Sequence, residues 1–275
     1  MRAWLIYDRE GAVRNADYIQ MHFQLAEEFG IDLQLIIDVD VPNLLAKKIM
    51  PFPDFCFVRT IAPSLSLELE KNGILVFNST MVSKICNDKG KTIAYVEKHT
   101  DVPVVPTKRF QRQQLSETLL AGYKDSVIKA VAGHGGKQVF RTTEKFEMIQ
   151  QGIGQDDFII QPFIHGQGKD IRIYIIGDRI MGAVERTSTN GFRSNFSLGG
   201  KVLPYSLSEK EISQVRKIIS CFSFGMVGID FIVDKAGNLL LNEIEDVVGA
   251  RMYYQCYPNR NLLRDYFSYV VSTIV

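Results

Sequence analysis

The chain has 275 residues, 46% of them apolar and 23% charged, with 32 basic against 31 acidic side chains and a formal net charge of +1. A chain of this length builds roughly two domains and buries a core without disulfides or a structural metal, which excludes a small stapled fold. The balanced charge leaves no basic excess to neutralise phosphates along a duplex, so nucleic acid is not an expected partner.

Short apolar runs at residues 3–7, 33–37, 55–58 and 74–77 alternate with helical patterns at 18–29 and 65–70. On the first of these helices Ile19, His22, Phe23, Ala26 and Phe29 recur at three- and four-residue steps, and Gly30 stands where a helix stops. This βαβ rhythm predicts an open parallel sheet over residues 1–78. A more polar helical stretch follows, closed by DVPVVPT, in which Pro103 and Pro106 argue for an extended segment. From residue 126 the order is strand, glycine loop, strand, helix, strand, a small α+β unit. Paired strands are expected at 171–176 and 180–185, a helix at 208–221, and strands at 227–233 and 239–244 joined by a turn at 234–238.

Cys56, Cys86, Cys221 and Cys256 lie far apart, with no C-x-x-C pair and no zinc spacing to the histidines, and read as reduced thiols. Asp8 breaks the N-terminal apolar run far short of the ~20 residues that span a bilayer, and no signal-peptide cleavage pattern follows. The expectation is a cytoplasmic protein without a membrane partner.

Three places carry candidate chemistry. Lys129 in the strand VIKA precedes Gly133, His134, Gly135 and Gly136, and a lysine feeding a glycine loop suits a polyphosphate. On that segment alone, an exposed strand lysine before a flexible turn is the plainer reading. Asp230 in VGIDFIV and Glu243 and Glu245 in LLLNEIED interrupt apolar runs on two strands that a short turn joins. Converging carboxylates of this kind suit Mg²⁺, with a solvated strand face as the alternative. The polar stretch ERTSTNGFRSNFSLGGK brings Glu185, Arg186, Arg193, Asn195 and Lys201 together, where guanidinium forks suit carboxylates or phosphates. Composition alone favours a surface loop there. Lys89 and Arg172 are either ligand-binding or merely solubilising charges. His22 and His165 read as packing or surface residues.

In this order the segments resemble the ATP-grasp superfamily, and within it the RimK-like α-L-glutamate ligases, over nearly the whole chain. The matching motifs are FNST (77–80), NDKGKT (87–92), VPVVPT (102–107), VIKAVAGHGGKQV (127–139), IIQPFI (159–164), DIR (170–172), NGFRSNFSLGG (190–200), GIDFI (228–232) and NEIED (242–246). The resemblance implies a mixed α/β and α+β architecture, the ATP-grasp fold. A Rossmann-like pre-ATP-grasp domain would occupy residues 1–78 and an ATP-grasp domain 79–275, the latter divided into a connecting helical segment (79–122), a central lid subdomain (123–163) and a C-terminal α+β subdomain (164–275).

By the same resemblance, Lys89 and Lys129 would hold the phosphates of ATP, the loop of Gly133, Gly135 and Gly136 would close over them, and Gln161, Pro162 and Phe163 would meet the adenine. Asp170 would meet the ribose. Asp230, Glu243 and Glu245 would hold two Mg²⁺ ions, with Mn²⁺ as an alternative ion. Arg186, Arg193 and Asn195 would serve the transferring phosphoryl and the reacting acyl group. Arg172, Arg251 and Arg59 are the candidate clamps for a substrate carboxylate. The family usually has asparagine where this chain has Glu245, so the ion site carries one more negative charge. After that motif the family commonly has small residues and a proline, whereas this chain reads DVVGARMYY.

The implied reaction is ATP-dependent joining of a carboxylate to an amine through an acyl phosphate, on an amino acid or peptide, with release of ADP and phosphate. A small-molecule kinase on the same fold and a nucleotide-binding module without catalysis are the alternatives. The sequence is compatible with a homo-oligomer and names neither substrate.

Overall fold

The computed structural model describes residues 1–47, 51–136, 138–166, 168–187 and 201–274. β1 (Arg2–Tyr7) is buried from Ala3 onwards, as a strand covered on both faces must be. Asp8 caps α1 (Arg9–Arg14) by accepting the Gly11 N–H at 2.7 Å. α2 (Ala16–Glu28) buries Ile19, His22, Leu25 and Ala26, with Phe23 and Phe29 packed beside them. Gly30, at φ +64°, ends it in the left-handed conformation that glycine adopts most easily. Next come β2 (Asp32–Ile37), α3 (Val41–Ala46), β3 (Phe55–Val58), α4 (Pro63–Lys71) and β4 (Leu75–Phe77). The strands form the parallel sheet expected from the βαβ rhythm, in the order β2-β1-β3-β4.

The polar stretch after this sheet forms two helices, α5 (Thr80–Cys86) and α6 (Lys89–His99). The proline-marked segment is extended, and Val105 N–H and Pro103 carbonyl bond to Leu241 at 2.9 Å each. β5 (Lys108–Phe110), α7 (Glu117–Ala121), β6 (Ser126–Ala130), β7 (Val139–Arg141), α8 (Phe146–Ile153) and β8 (Phe158–Pro162) then build a second, antiparallel sheet in the order β5-β8-β6-β7. Its own core contains Ile128, Ile149, Ile153, Phe158 and Ile160.

The third sheet consists of β9 (Lys169–Ile176), β10 (Arg179–Thr187), β11 (Lys201–Tyr205), β12 (Met226–Val233) and β13 (Leu239–Glu245), with α9 (Glu209–Ile219) between β11 and β12. A capping box of Ser208 and Glu211 starts α9. All neighbours are antiparallel, in the order β11-β10-β9-β12-β13. Alternation along β9 separates two faces: Ile171, Ile173 and Ile175 pack with α9 and α6, while Tyr174 and Ile176 belong to the core of the N-terminal sheet. The last helices, α10 (Arg251–Cys256) and α11 (Leu262–Ile274), join that same core. No helix among the described residues is long and apolar enough to cross a membrane.

α11 therefore connects the two ends of the chain, with the Phe267 ring centred 5.0 Å from Phe57 and 5.7 Å from Phe29. Phe267→Ala removes a fully buried ring from this junction. The expected loss is about 3–5 kcal/mol in equilibrium denaturation; a loss below 1 kcal/mol would mean that α11 does not hold the N-terminal sheet.

Candidate active site

A cleft of about 930 Å³ opens between the second sheet and the charged face of the third. It gathers Lys89, Lys129, Gly133, Gly135, Gly136, Gln161, Pro162, Phe163, Asp170, Arg172, Arg186, Glu243, Glu245 and Arg251, so most of the residues singled out by sequence meet in one place. Asp230 lies behind its wall at 2% exposure, and Arg59 is buried against the segment that follows β13. Arg193 and Asn195 lie outside the described residues.

Strand alternation and register create the charged face. Asp170 and Arg172 share one side of β9. Asp230 of β12 stands opposite Arg172, Arg186 of β10 opposite Asp170, and Glu243 of β13 opposite Asp230. Arg172 donates through Nε and Nη2 to the two carboxylate oxygens of Asp230 at 2.7 Å each, and its Nη1 lies 2.5 Å from Glu245 Oε2. Arg186 donates through Nη2 to Asp230 Oδ2 at 2.8 Å and through Nε to Asp170 Oδ2 at 2.6 Å. The result is an alternating row of charges, Glu245–Arg172–Asp230–Arg186–Asp170, running across four strands. A solvated strand face is thereby excluded for Asp230.

The row sets the protonation of its members. Burial opposes ionisation of Asp230, but its two guanidinium partners outweigh that and hold it well below the usual carboxylate range. Burial raises Asp170 to about 6 against the pull of Arg186, and its Oδ1 accepts no hydrogen bond. Burial also raises Glu245 despite Arg172. Glu243 moves the other way: burial works against its charge, but Lys89, 3.0 Å away, holds it down with help from Lys129.

Lys129 is 8% exposed and donates to Asn242 Oδ1 at 2.8 Å, which overturns its plainer reading as a solvent-facing strand lysine. Burial lowers its pKa to about 8, with Glu243 opposing and the Lys89 charge reinforcing the shift. Lys89 Nζ also donates to the Gly133 carbonyl, closing the start of the glycine loop onto Glu243. Gly135 and Gly136 take φ of +64° and +69°, a backbone that side chains with a Cβ rarely adopt. Gln161 donates to Thr107 Oγ1 at 2.8 Å. Arg251, in the first turn of α10, presents an exposed guanidinium to the cleft and forms no ion pair among the described residues.

Among the described residues, no three carboxylate, histidine or cysteine groups stand close enough to enclose an ion by themselves. Mg²⁺ usually takes one or two protein carboxylates, with phosphates and waters completing its shell. Glu243 and Glu245 line the cleft two residues apart, the first 3.0 Å from the Lys89 ammonium and the second 2.5 Å from the Arg172 guanidinium. This donor set fits such an ion. Both oxygens of Asp230 are already occupied by arginines.

A RimK-like ATP-grasp domain model matches residues 69–257, well over half of the chain. The chain belongs to the RimK-like ATP-grasp family. Human N-acetylaspartylglutamate synthase A is 28% identical over 231 residues, covering 78% of this chain and 59% of that protein. A Mycoplasma genitalium relative is 27% identical, and the chain spans 64% of its length. Among solved structures, D-cycloserine synthetase DcsG superposes with a TM-score of 0.78 at 10% identity, over 100% of both chains. The ATP-grasp ligase PsnB, in complex with a phosphomimetic variant of its minimal precursor, Mg and ADP, gives 0.70 at 13% identity over 99% of this chain and 98% of that one. The ATP-grasp fold expected from the sequence is the fold observed.

Several contributors to this RimK-like site carried no expected role. Asn242 holds Lys129, and Arg109 grips both oxygens of Asp88 at 2.8 Å, fixing the cap of α6 from which Lys89 projects. Asp246, 3% exposed, accepts from Asn78 at 2.7 Å and Asn87 at 2.9 Å. The signal available for Asn78, Asn87, Asp88, Asn242 and Asp246 was their presence inside the matching motifs.

A depressed lysine pKa means that, between about 8 and the 10.5 of an unhindered lysine, the unfolded chain binds more protons at this position than the folded one. Stability contributed by this position therefore rises with pH over that window, by up to about 1.4 kcal/mol per pH unit. Denaturation of the wild type against Lys129→Met should show the difference moving in the wild type's favour from pH 8 to 10.5. A constant difference would show that Lys129 is not buried as described.

Proposed function

We propose that this chain is an ATP-dependent carboxylate–amine ligase that forms an amide bond through an acyl phosphate. The observation that carries the reading is the meeting, in one cleft, of two lysines and a glycine loop with a pair of strand carboxylates and an exposed arginine that forms no ion pair among the described residues. The human relative, named for synthesis of N-acetylaspartylglutamate, supports an amino acid or peptide as the substrate class.

In this reading Lys129 and Lys89 hold the phosphates, the Gly133, Gly135 and Gly136 loop closes over them, Gln161, Pro162 and Phe163 take the adenine, and Asp170 takes a ribose hydroxyl on its free Oδ1. Glu243 and Glu245 hold Mg²⁺, for which we adopt two ions; the bound metal supplies charge neutralisation along the phosphates. Asp230 contributes by fixing Arg172 and Arg186. A substrate carboxylate oxygen attacks the γ-phosphorus, the bond to the leaving ADP oxygen breaks, and an acyl phosphate forms. The lone pair of the amine then attacks the acyl carbon, phosphate departs, and the nitrogen loses its proton. Arg186, Arg193 and Asn195 stabilise the charge that develops in these steps, and Arg251 holds a substrate carboxylate. Neither step needs a nucleophile from the protein, because positioning and charge neutralisation do most of what phosphoryl transfer requires. We place the protein in the cytoplasm.

The test is ATP-dependent hydroxamate formation, with hydroxylamine as surrogate amine and a pool of amino acids and peptides as carboxylates. Hydroxamate should form with the wild type and fall by roughly 10²-fold or more with Glu243→Gln. ADP release without hydroxamate would replace this reading with phosphorylation of a hydroxyl.

A further inference from the structure

The last rung of the β12–β13 ladder pairs Gly228 with Glu245, so a carboxylate facing the cleft sits where the strand leaves its partner. Strand ends fray unless something replaces the missing rungs. Here the replacement is a side chain from the other end of the fold. Asn78, just past β4, donates through Nδ2 to Asp246 Oδ1 at 2.7 Å, to the Asp246 carbonyl at 3.1 Å and to the Met226 carbonyl at 2.9 Å. Its Oδ1 accepts the Gly225 N–H at 2.6 Å. One amide thus staples the start of β12 to the exit of β13. The approach is close enough that a Cβ on residue 225 would lie 2.7 Å from Asn78 Oδ1, so glycine is required there.

The second oxygen of Asp246 accepts from Asn87 Nδ2 at 2.9 Å. Asn87 immediately precedes the cap of α6, and two residues later Lys89 pairs with Glu243. Arg59 completes the attachment by donating through Nη2 to the Val248 carbonyl at 2.8 Å. The segment held in this way continues directly into Gly249 and Arg251, which line the cleft.

We infer that Asp246 is a positioning residue: through Asn78 and Asn87 it holds Glu245 in place for the ion and keeps the lysine-bearing helix in register with the carboxylates of β13. Asp246 does not touch nucleotide or metal; it acts through its neighbours. The inference rests on the ligase reading in one respect, that the β13 carboxylates take an ion.

The test uses the intact protein and the non-hydrolysable nucleotide AMP-PNP, titrated calorimetrically with Mg²⁺ and again with EDTA. Asp246→Asn keeps one acceptor oxygen and turns an N–H₂ towards the other donor. The gain in affinity that Mg²⁺ confers should fall by about tenfold, the usual scale for loss of a supporting partner at a metal site, while affinity in EDTA stays within about twofold. Asn87→Ala, which removes one of the side-chain bonds to Asp246, should lower the same gain less, and it carries the test if the Asp246 variant does not fold. An unchanged Mg²⁺-linked gain overturns the inference, and so does an equal loss with and without Mg²⁺, which a general loosening of the fold would produce. Wild-type protein that binds AMP-PNP no better with Mg²⁺ than with EDTA overturns the ion-site reading itself, and the tether's role with it.

Discussion

Arg172 and Asp230 face one another across β9 and β12 with almost no exposed surface, and neither can be removed alone without leaving an uncompensated charge in the interior. Around this pair the other charges take their places, Arg186 with Asp170 on one side and Glu245 on the other. The row fixes the relative register of β10, β9, β12 and β13 because a slip of one residue would turn each charge to the opposite, apolar face. That opposite face packs against α9 and α6 with isoleucine, valine and leucine, where a charge would find no partner.

The cleft inherits its electrostatics from the same arrangement. Asp230 is consumed in holding two arginines, which leaves Glu243 and Glu245 as the carboxylates that face outward. Lys89 and Lys129 approach them from the connecting helix and the second sheet, so three segments distant in the chain must be brought together before the site exists. The attachments that do this are polar and buried: Arg109 on Asp88, Asn242 on Lys129, and Asn78 and Asn87 on Asp246. Low local dielectric strengthens such bonds and penalises any partner left alone, so they specify one arrangement as well as stabilise it.

Much of this was legible in the residue order. The βαβ rhythm announced the parallel sheet, Gly30 the end of α2, the two prolines an extended crossing, and residues 234–238 the hairpin that brings Asp230 near Glu243. Charged residues interrupting apolar strands signalled a site because burying an unpaired acid is costly. The motif set pointed to the family that the domain match establishes. Less legible were the roles within the site. Arg172 and Arg59 looked like substrate clamps, yet Arg172 has its donors on Asp230 and Glu245, and Arg59 lies buried on the Val248 carbonyl. An arginine bound to the protein itself and one waiting for a ligand have the same letter in the sequence.

What the sequence determined by itself was local: periodicity chose helix or strand, glycine and proline set the turns, and the motifs named the chemical groups present. Which groups pair was decided only by tertiary structure, because contacts such as Asn78 to Asp246 or Lys129 to Asn242 join residues more than 100 positions apart, and no local preference encodes such a pairing. Burial belongs to the same category. The lysine of VIKA becomes a depressed, desolvated base only when β6 is set against β13, since the shift comes from the water removed and the charges brought near.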